Sequence, residues 1–361
     1  MNTFGNKFKV SIFGESHGPC IGVTVDGVLP GIPLTEEDFT QDLDRRRSGA
    51  LGTTPRVEKD LPEILSGVYD GYTTGAPLTV LFRNENTRSE DYEQFRKHPR
   101  PGHADFTANL KFGGFNDLRG GGMFSGRLTL GLVAAGVIAK KMMYFARFHA
   151  RLVEVGGLSD STAWTEALKA AQADGDSLGG VVACTVEGLP IGLGEPFWNS
   201  VESVISHAVF AIPGVRGIEF GDGFAAARMR GSEHIDLFPE HECQHGEGHE
   251  CHHGEGEGCC HHGEGEDHQC CHGHEEGHEC HHEEGHHCCR HKKPQPPVTN
   301  HCGGVNGGIT NGNPVEFRVA FKPTASIAKA GIGGRHDVCF ALRTPVIVEA
   351  VAAIALVDLA L

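Results

Sequence analysis

Outside one short segment, this sequence of 361 residues has very little cysteine. Ten of its 13 cysteines lie between positions 243 and 302, and the other three, Cys20, Cys184 and Cys339, are far apart. Three scattered cysteines do not make a disulfide framework, so the sequence argues against a small secreted domain held by disulfides. We expect a reducing, cytoplasmic location.

The sequence also lacks a long uninterrupted apolar run. No apolar stretch in residues 1–15 is long enough for a signal peptide. The two most apolar segments are residues 128–139, which run into Lys140 and Lys141, and residues 345–361, which contain two acidic residues. Neither suits a membrane span, so both are expected to be buried helices and no membrane partner is expected.

An excess of positive charge is absent as well. The formal net charge is −16, and residues 240–293 contribute most of it, with 14 acidic residues against Arg290, Lys292 and Lys293. The rest of the chain is only mildly acidic, which gives no reason to expect a nucleic-acid partner.

Residues 240–293 form a segment with almost no aliphatic side chains, which cannot bury enough surface to offset its ordering entropy. We predict a disordered, exposed insert within a single catalytic domain made of residues 1–239 and 294–361. Its Cys, His and carboxylate groups suit Zn, Ni or Cu, although the spacing matches no zinc finger. Whether such binding is physiological stays open, since a tolerated low-complexity expansion would look the same. The candidate adventitious ligands are Cys251, His252, His253, Cys260, His261, His262, Cys280, His281 and His282.

Strand-like and helix-like patterns alternate along the rest of the chain. Helices are predicted at 36–47, capped by Thr35, over about twenty residues after the glycines at 120–122, and at 162–173, 200–211 and 345–360. Strands are predicted at 8–13, 20–28, 63–69, 77–82, 151–156, 180–187, 215–220, 223–230 and 315–321.

Charged residues collect beside glycines in four places, and a fifth charged segment, Lys322–Ser326, ends an apolar strand. The four places are Gly14–Gly18, Arg45–Gly49, Arg100–Asp105 and Gly334–Asp337. Glycine turns let the main chain approach a ligand closely, and arginine binds phosphate and carboxylate groups through paired hydrogen bonds. Histidines and an aspartate in the same turns can move protons near neutral pH. The residues therefore indicate an enzyme that acts on a small polyanion by proton transfer.

Several common catalytic motifs are missing. There is no Walker A sequence, and Gly120-Gly-Gly-Met-Phe-Ser-Gly126 is a poor dinucleotide fingerprint. The Gly14-Glu-Ser-His-Gly18 turn lacks the spacing of a serine-hydrolase elbow. Spacing alone thus leaves the cofactor open.

The order and wording of the motifs are more informative. Phe-Gly-Glu-Ser-His-Gly at 13–18, Asp-Leu-Asp-Arg-Arg-Arg at 42–47 and Ile-Leu-Ser-Gly-Val at 64–68 follow one another. Arg-Pro-Gly-His-Ala-Asp at 100–105, Gly-Asp-Gly-Phe at 221–224 and Gly-Arg-His-Asp at 334–337 complete the series. Together they resemble the chorismate synthase family along nearly the whole chain except the insert.

This resemblance implies an α/β (α+β) fold, a β–α–β sandwich with an internal pseudo-repeat, assembled as a homotetramer. It implies a lyase of the shikimate pathway that converts 5-enolpyruvylshikimate 3-phosphate to chorismate and phosphate with reduced FMN. NADPH as the source of electrons for FMN is left open.

The resemblance also implies roles for individual residues. His17 would protonate the departing phosphate, His103 would protonate reduced flavin near N1, and Asp337 would assist proton removal at N5. Substrate or NADP contacts would come from Arg46, Arg100 and Arg127. Flavin contacts would come from Met123, Phe124, Ser125, Gly307, Lys322, Pro323, Thr324, Ala325, Ser326 and Arg335.

The sequence departs from the family pattern at a few positions. A cation is replaced by Met123 and a carboxylate by Leu128. An arginine usual after the Arg45–Arg47 run appears as Gly52, with a one-residue shortening of the segment. Val338 replaces a usual proline, and the loop between Ser326 and Gly334 is about ten residues shorter than is typical of the family. None of these changes removes a proposed proton-transfer residue.

Two other functions remain open. One is a metal-storage or metal-delivery protein on the scaffold of an inactive enzyme, and the other is a flavoprotein that transfers hydride. The joint presence of His17, His103, Asp337 and the arginines favours the lyase over the metal protein, because an inactive scaffold has no reason to keep them together.

Overall fold

The computed structural model describes residues 2–56, 58–87, 90–239 and 295–361. Residues 1–237 and 296–361 make up one compact unit. The predicted insert and its candidate metal ligands lie outside the described residues.

The described residues form short strands and helices in alternation. The helices are α1 Thr40–Arg46, α2 Asp105–Lys111, α3 Thr129–Met142, α4 Trp164–Ala173, α5 Val201–Val209, α6 Gly231–His234 and α7 Pro345–Ala360. The first strands are β1 Thr3–Phe4, β2 Lys9–Gly14, β3 Cys20–Asp26, β4 Glu63–Ser66, β5 Val68–Tyr69, β6 Tyr72–Thr73 and β7 Leu78–Arg83. The others are β8 Arg147–Val155, β9 Gly180–Glu187, β10 Val215–Phe220, β11 Val305–Asn306, β12 Ile309–Thr310 and β13 Val315–Phe321.

Two antiparallel sheets enclose a layer of helices. One sheet has the order β1-β2-β3-β7-β4 and the other the order β10-β13-β9-β8. Helix α3 packs on β3 of the first sheet, α7 packs on β8 and β9 of the second, and α3 and α7 pack on each other. This arrangement confirms the predicted β–α–β sandwich.

Helix α7 lies at the centre because it is apolar on all sides. Its two acidic residues are buried but satisfied. Glu349 accepts hydrogen bonds from Arg45, Lys140 and the Ala150 N–H, and Asp358 accepts the N–H groups of residues 6–8. None of the described helices has the length and apolarity needed to cross a membrane.

The strands at 180–187, 215–220 and 315–321 and the helix at 345–360 are confirmed to the residue. The apolar helix α3 has 14 residues, shorter than predicted. The strand predicted at 223–230 is wrong, since Gly223–Arg228 is a 3₁₀ helix. Its N–H groups bond locally, with the Phe224 N–H donating to the Glu219 carboxylate and the Ala225 N–H to the Asp222 carbonyl. These local bonds replace sheet pairing.

Candidate active site

Loops from both sheets meet around a cavity of about 710 Å³, a size typical of small-molecule sites. They come from the turn after β2, the segment after α1, the segments before α2 and α3, the loop before β10, the loop after β13 and the segment before α7. The cavity therefore depends on the folding of the whole described unit.

Nearly all residues predicted for the site line this cavity. They are His17, Arg46, Arg100, His103, Met123, Phe124, Ser125, Arg127, Lys322, Pro323, Thr324, Ala325, Ser326, Arg335 and Asp337. Gly307 does not line it, because it lies in the turn between β11 and β12. Its contact with flavin stays a prediction.

His17 is buried at one end of the cavity, with its ring edge-on to Tyr92 at 5.1 Å between centroids. The glycine loop 120–122 passes against the imidazole so closely that a Cβ on Gly120 would lie 2.4 Å from His17 Cδ2. Burial, followed by the charges of Arg56 and Arg119, lowers the pKa of His17 to about 4. The imidazole is thus neutral at pH 7 before an anion enters.

His103 is held by a buried carboxylate. Its Nδ1 lies 2.6 Å from Asp105 Oδ1, and the Arg100 guanidinium forms two further bonds to the same carboxylate, with Nε at 2.7 Å and Nη2 at 2.8 Å. The short contact favours a proton on Nδ1 donated to Asp105. A Cβ on Gly121 would lie 3.4 Å from Nε2, so that nitrogen faces the glycine loop and is the one that can exchange a proton.

Asp337 is already engaged on both oxygens. Oδ1 accepts the Thr54 N–H at 2.9 Å and Oδ2 accepts Arg343 Nη2 at 2.8 Å. These bonds fix the carboxylate at the cavity wall, ready to act on a proton brought to it.

Two of the predicted substrate arginines share one counter-ion. Asp60 accepts Arg46 Nη2 at 2.9 Å and Arg127 Nη1 at 2.8 Å, and all three side chains are buried. Although burial opposes it, the two guanidinium groups hold the pKa of Asp60 below its ordinary value. Burial lowers the pKa of Arg46 to about 10, which leaves it charged at neutral pH.

Positive charge dominates the cavity. Among the described residues, nine arginine or lysine side chains line it against three acidic ones. Lys322 donates to the Gly102 carbonyl at 2.9 Å, and burial together with the charge of Arg216 lowers its pKa. Such an excess of cations favours a ligand that carries several negative charges.

The cavity fits FMN on chemical grounds. Met123, Phe124, Ile212, Pro213 and Phe340 form an apolar part of the wall, which suits a flat aromatic ring system. Arg46 Nε, Arg127 Nη2 and Arg343 Nε are buried with no hydrogen-bond acceptor among the described residues. Buried donors of this kind are normally satisfied, so they point to a bound acceptor.

The described residues contain no group of three or more His, Cys, Asp or Glu side chains that could hold a metal ion.

Sequence reasoning missed several charged residues of the cavity. Arg56, Glu58 and Asp60 lie in the irregular segment after α1, and Arg343 lies just before α7. None of these residues belongs to a periodic sequence pattern. For Arg56, Glu58 and Asp60, the sequence feature that could have indicated a site is charge in the loop that follows the Arg45–Arg47 run.

The sandwich fold and the cation-lined cavity define an enzyme that acts on a small polyanion. Residues 8–361 match the family described as chorismate synthase. A chorismate synthase of Chitinophaga pinensis is 52% identical over 373 residues, covering 99% of this chain and 96% of that protein. One from Dehalococcoides mccartyi (strain BAV1) is 37% identical over 401 residues, covering 100% and 96%.

A solved structure described as a crystal structure of chorismate synthase has a TM-score of 0.68 to this chain. It is 24% identical and covers 99% of this chain and 92% of its own, so it supports the fold. The chain belongs to the chorismate synthase family.

Proposed function

We propose that the cavity is the active site of a carbon–oxygen lyase that converts 5-enolpyruvylshikimate 3-phosphate to chorismate and phosphate. The reaction is a formal 1,4-anti elimination in the shikimate pathway of aromatic amino-acid biosynthesis. Reduced FMN, when bound, supplies transient electron density that helps phosphate leave, with no net redox change. The observation that carries the proposal is the convergence of His17, His103 and Asp337 on one cation-rich cavity in a chain of this family.

Each of the three residues is assigned one proton. His17 gives its proton to a phosphate oxygen as the ester C–O bond breaks. His103 protonates the reduced flavin near N1 through Nε2, since Nδ1 is held by Asp105. The hydrogen lost from C6 of the ester would pass to flavin N5, and Asp337 would assist removal of that proton, with Thr54 and Arg343 fixing its orientation.

The binding groups divide by chemistry. Arg46, Arg100 and Arg127 are assigned to the substrate's anionic groups. Arg335 and the segments Met123–Ser125 and Lys322–Ser326 are assigned to FMN. Gly307 lies outside the cavity lining of one chain, so a flavin contact from it would come from a second copy.

An anaerobic assay with the ester tests this function. We expect phosphate release with reduced FMN and none with oxidised FMN. Flavin oxidation matched to product formation would instead favour hydride transfer, and binding of flavin without phosphate release would contradict the lyase.

Substrate binding should add a proton to the enzyme at pH 7. His17 starts neutral, held so by burial, Arg56, Arg119 and Arg335 against Asp117, and a phosphate dianion beside it raises its pKa. Calorimetric titration of the ester in two buffers of different ionisation enthalpy, with oxidised FMN present, measures the uptake. On binding the ester, the wild type should gain as much as about one proton per site more than His17→Asn gains. Equal uptake by the two proteins would remove His17 from the phosphate end of the cavity.

We infer a homotetramer that works in the cytoplasm. Phe197 and Trp198 are almost fully exposed on the described unit, which is typical of an interface. The described cysteines Cys20, Cys184, Cys302 and Cys339 are free thiols, in keeping with a reducing compartment. NADPH is proposed as a source of electrons for FMN.

Residues 1–239 and 294–361 are proposed to be the catalytic domain, and 240–293 a dispensable insert that binds Zn, Ni or Cu. Replacing 240–293 by a short Gly/Ser linker should leave phosphate release unchanged within about twofold and remove most Zn or Ni binding, measured by equilibrium dialysis. Metal binding by the intact protein should weaken as the pH falls, because His and Cys must lose protons to coordinate. A folded linker variant that cannot turn over the ester would make the insert part of the catalytic apparatus.

A further inference from the structure

The position of the missing arginine does not face the cavity. A Cβ on Gly52, where the family pattern has an arginine, would lie 2.9 Å from Leu168 Cδ2 and 2.9 Å from Leu342 Cδ1. The Gly52 backbone also has a φ of +83° and accepts the Cys339 N–H at 2.9 Å. A side chain at residue 52 would therefore meet apolar packing rather than a ligand.

Arg56, four residues further along the same loop, does reach the cavity. Its Nη1 donates to Ser16 Oγ at 3.1 Å and its Nη2 to the Ser16 carbonyl at 3.2 Å. The guanidinium thus lies against the turn that carries His17. Its positive charge lowers the pKa of His17 more than any other neighbouring charge does. The side chain keeps 15% of its surface exposed while lining the cavity.

Arg56 is oriented by a carboxylate that is itself fixed. Glu58 Oε1 accepts Arg56 Nε at 3.1 Å and Nη2 at 2.7 Å. The same carboxylate accepts the N–H groups of Glu85 and Asn86 at 3.1 Å each. One edge of the guanidinium is therefore held in place. Among the described residues, the only hydrogen bond of Nη1 is to a serine hydroxyl, which can rotate away.

A second cation stands near the same imidazole. Arg335 donates to the Asn86 side-chain carbonyl at 3.2 Å, and among the described residues it has no carboxylate within ion-pair distance. By contrast, Arg46 and Arg127 share Asp60, and Arg100 is paired with Asp105. The His17 end of the cavity thus combines a neutral imidazole with two guanidinium groups.

We propose that Arg56 binds the substrate's phosphate group beside His17. This inference rests on the proposed function. Arg56 Nη1 exchanges its bond to Ser16 for one to a phosphate oxygen and stays hydrogen-bonded to Glu58. When the ester C–O bond breaks, its electron pair stays on the phosphate oxygen, and the fixed guanidinium stabilises that added negative charge.

Arg56→Gln should weaken the affinity for the ester, and for inorganic phosphate as a probe, by about 10- to 100-fold. The affinity for oxidised FMN should change by less than about threefold, since the lost contact is to phosphate. Arg119→Gln is the matched control. The charge of Arg119 also lowers the pKa of His17, but Arg119 is paired with Asp117 and does not line the cavity. Its replacement should therefore change ester affinity by less than about threefold.

A double variant separates binding from structure. If Arg56 only neutralises Glu58, then Arg56→Gln with Glu58→Gln should restore ester affinity; we expect it to remain as weak as in Arg56→Gln. Restored affinity, or unchanged affinity in the single variant, overturns the inference while leaving the lyase in place. Wild-type protein that neither binds nor turns over the ester in the same experiments would overturn the proposed function itself.

Discussion

Replacing His103 by alanine should lower turnover by about 100-fold or more at saturating reduced FMN, the usual contribution of a positioned proton-transfer group. The imidazole is placed for this work, with Nδ1 2.6 Å from Asp105 and Nε2 towards the glycine loop at the cavity. The Arg100–Asp105 ion pair remains in the variant, so the free energy of unfolding should change little.

His149→Ala is the control for this experiment. His149 is exposed on β8 and does not line the cavity, so its loss should leave turnover within about twofold of the wild type. Near-native turnover of His103→Ala under the same conditions would show that the proton on the flavin comes from another group.

The largest effect on stability is expected at Asp60. Asp60→Asn removes the shared counter-ion of two buried arginines and should reduce the free energy of unfolding by about 3–5 kcal/mol. Asparagine is chosen because Asp60 has a φ of +50°, a conformation that asparagine also adopts. The measurement is urea denaturation at a fixed protein concentration.

Asp44→Asn is the matched control. Asp44 pairs with Arg47 at 2.6 Å, but both side chains are largely exposed, so the loss should be below about 1 kcal/mol. If Asp60→Asn reduced the free energy of unfolding no more than Asp44→Asn does, groups other than the shared carboxylate would be stabilising the two arginines.

The sequence predicts well those elements whose pattern comes from burial. Strand β13 alternates buried and exposed residues, and α7 is apolar throughout, so both are predicted to the residue. Helix α2 was missed because it is short and flanked by glycine-rich loops. The wrong strand at 223–230 has a strand-like composition, but its local hydrogen bonds are set by Glu219 and Asp222.

Motifs located most of the cavity lining, but not its counter-ions. Asp60 lies 67 residues from Arg127, and Thr54 lies 283 residues from Asp337, so only the folded chain brings each pair together. The same limit hid Arg56. The motifs draw attention to position 52, but Leu168 and Leu342 pack against Gly52. The arginine of this loop that lines the cavity is Arg56.

We propose that one cavity binds the flavin and the ester side by side. A crystal structure of the protein with FMN and 5-enolpyruvylshikimate 3-phosphate tests it most directly. We expect FMN against Met123–Ser125 and Lys322–Ser326, with the ester phosphate between His17 and Arg56. Either ligand bound outside this cavity, or an ester phosphate turned away from His17, would contradict it.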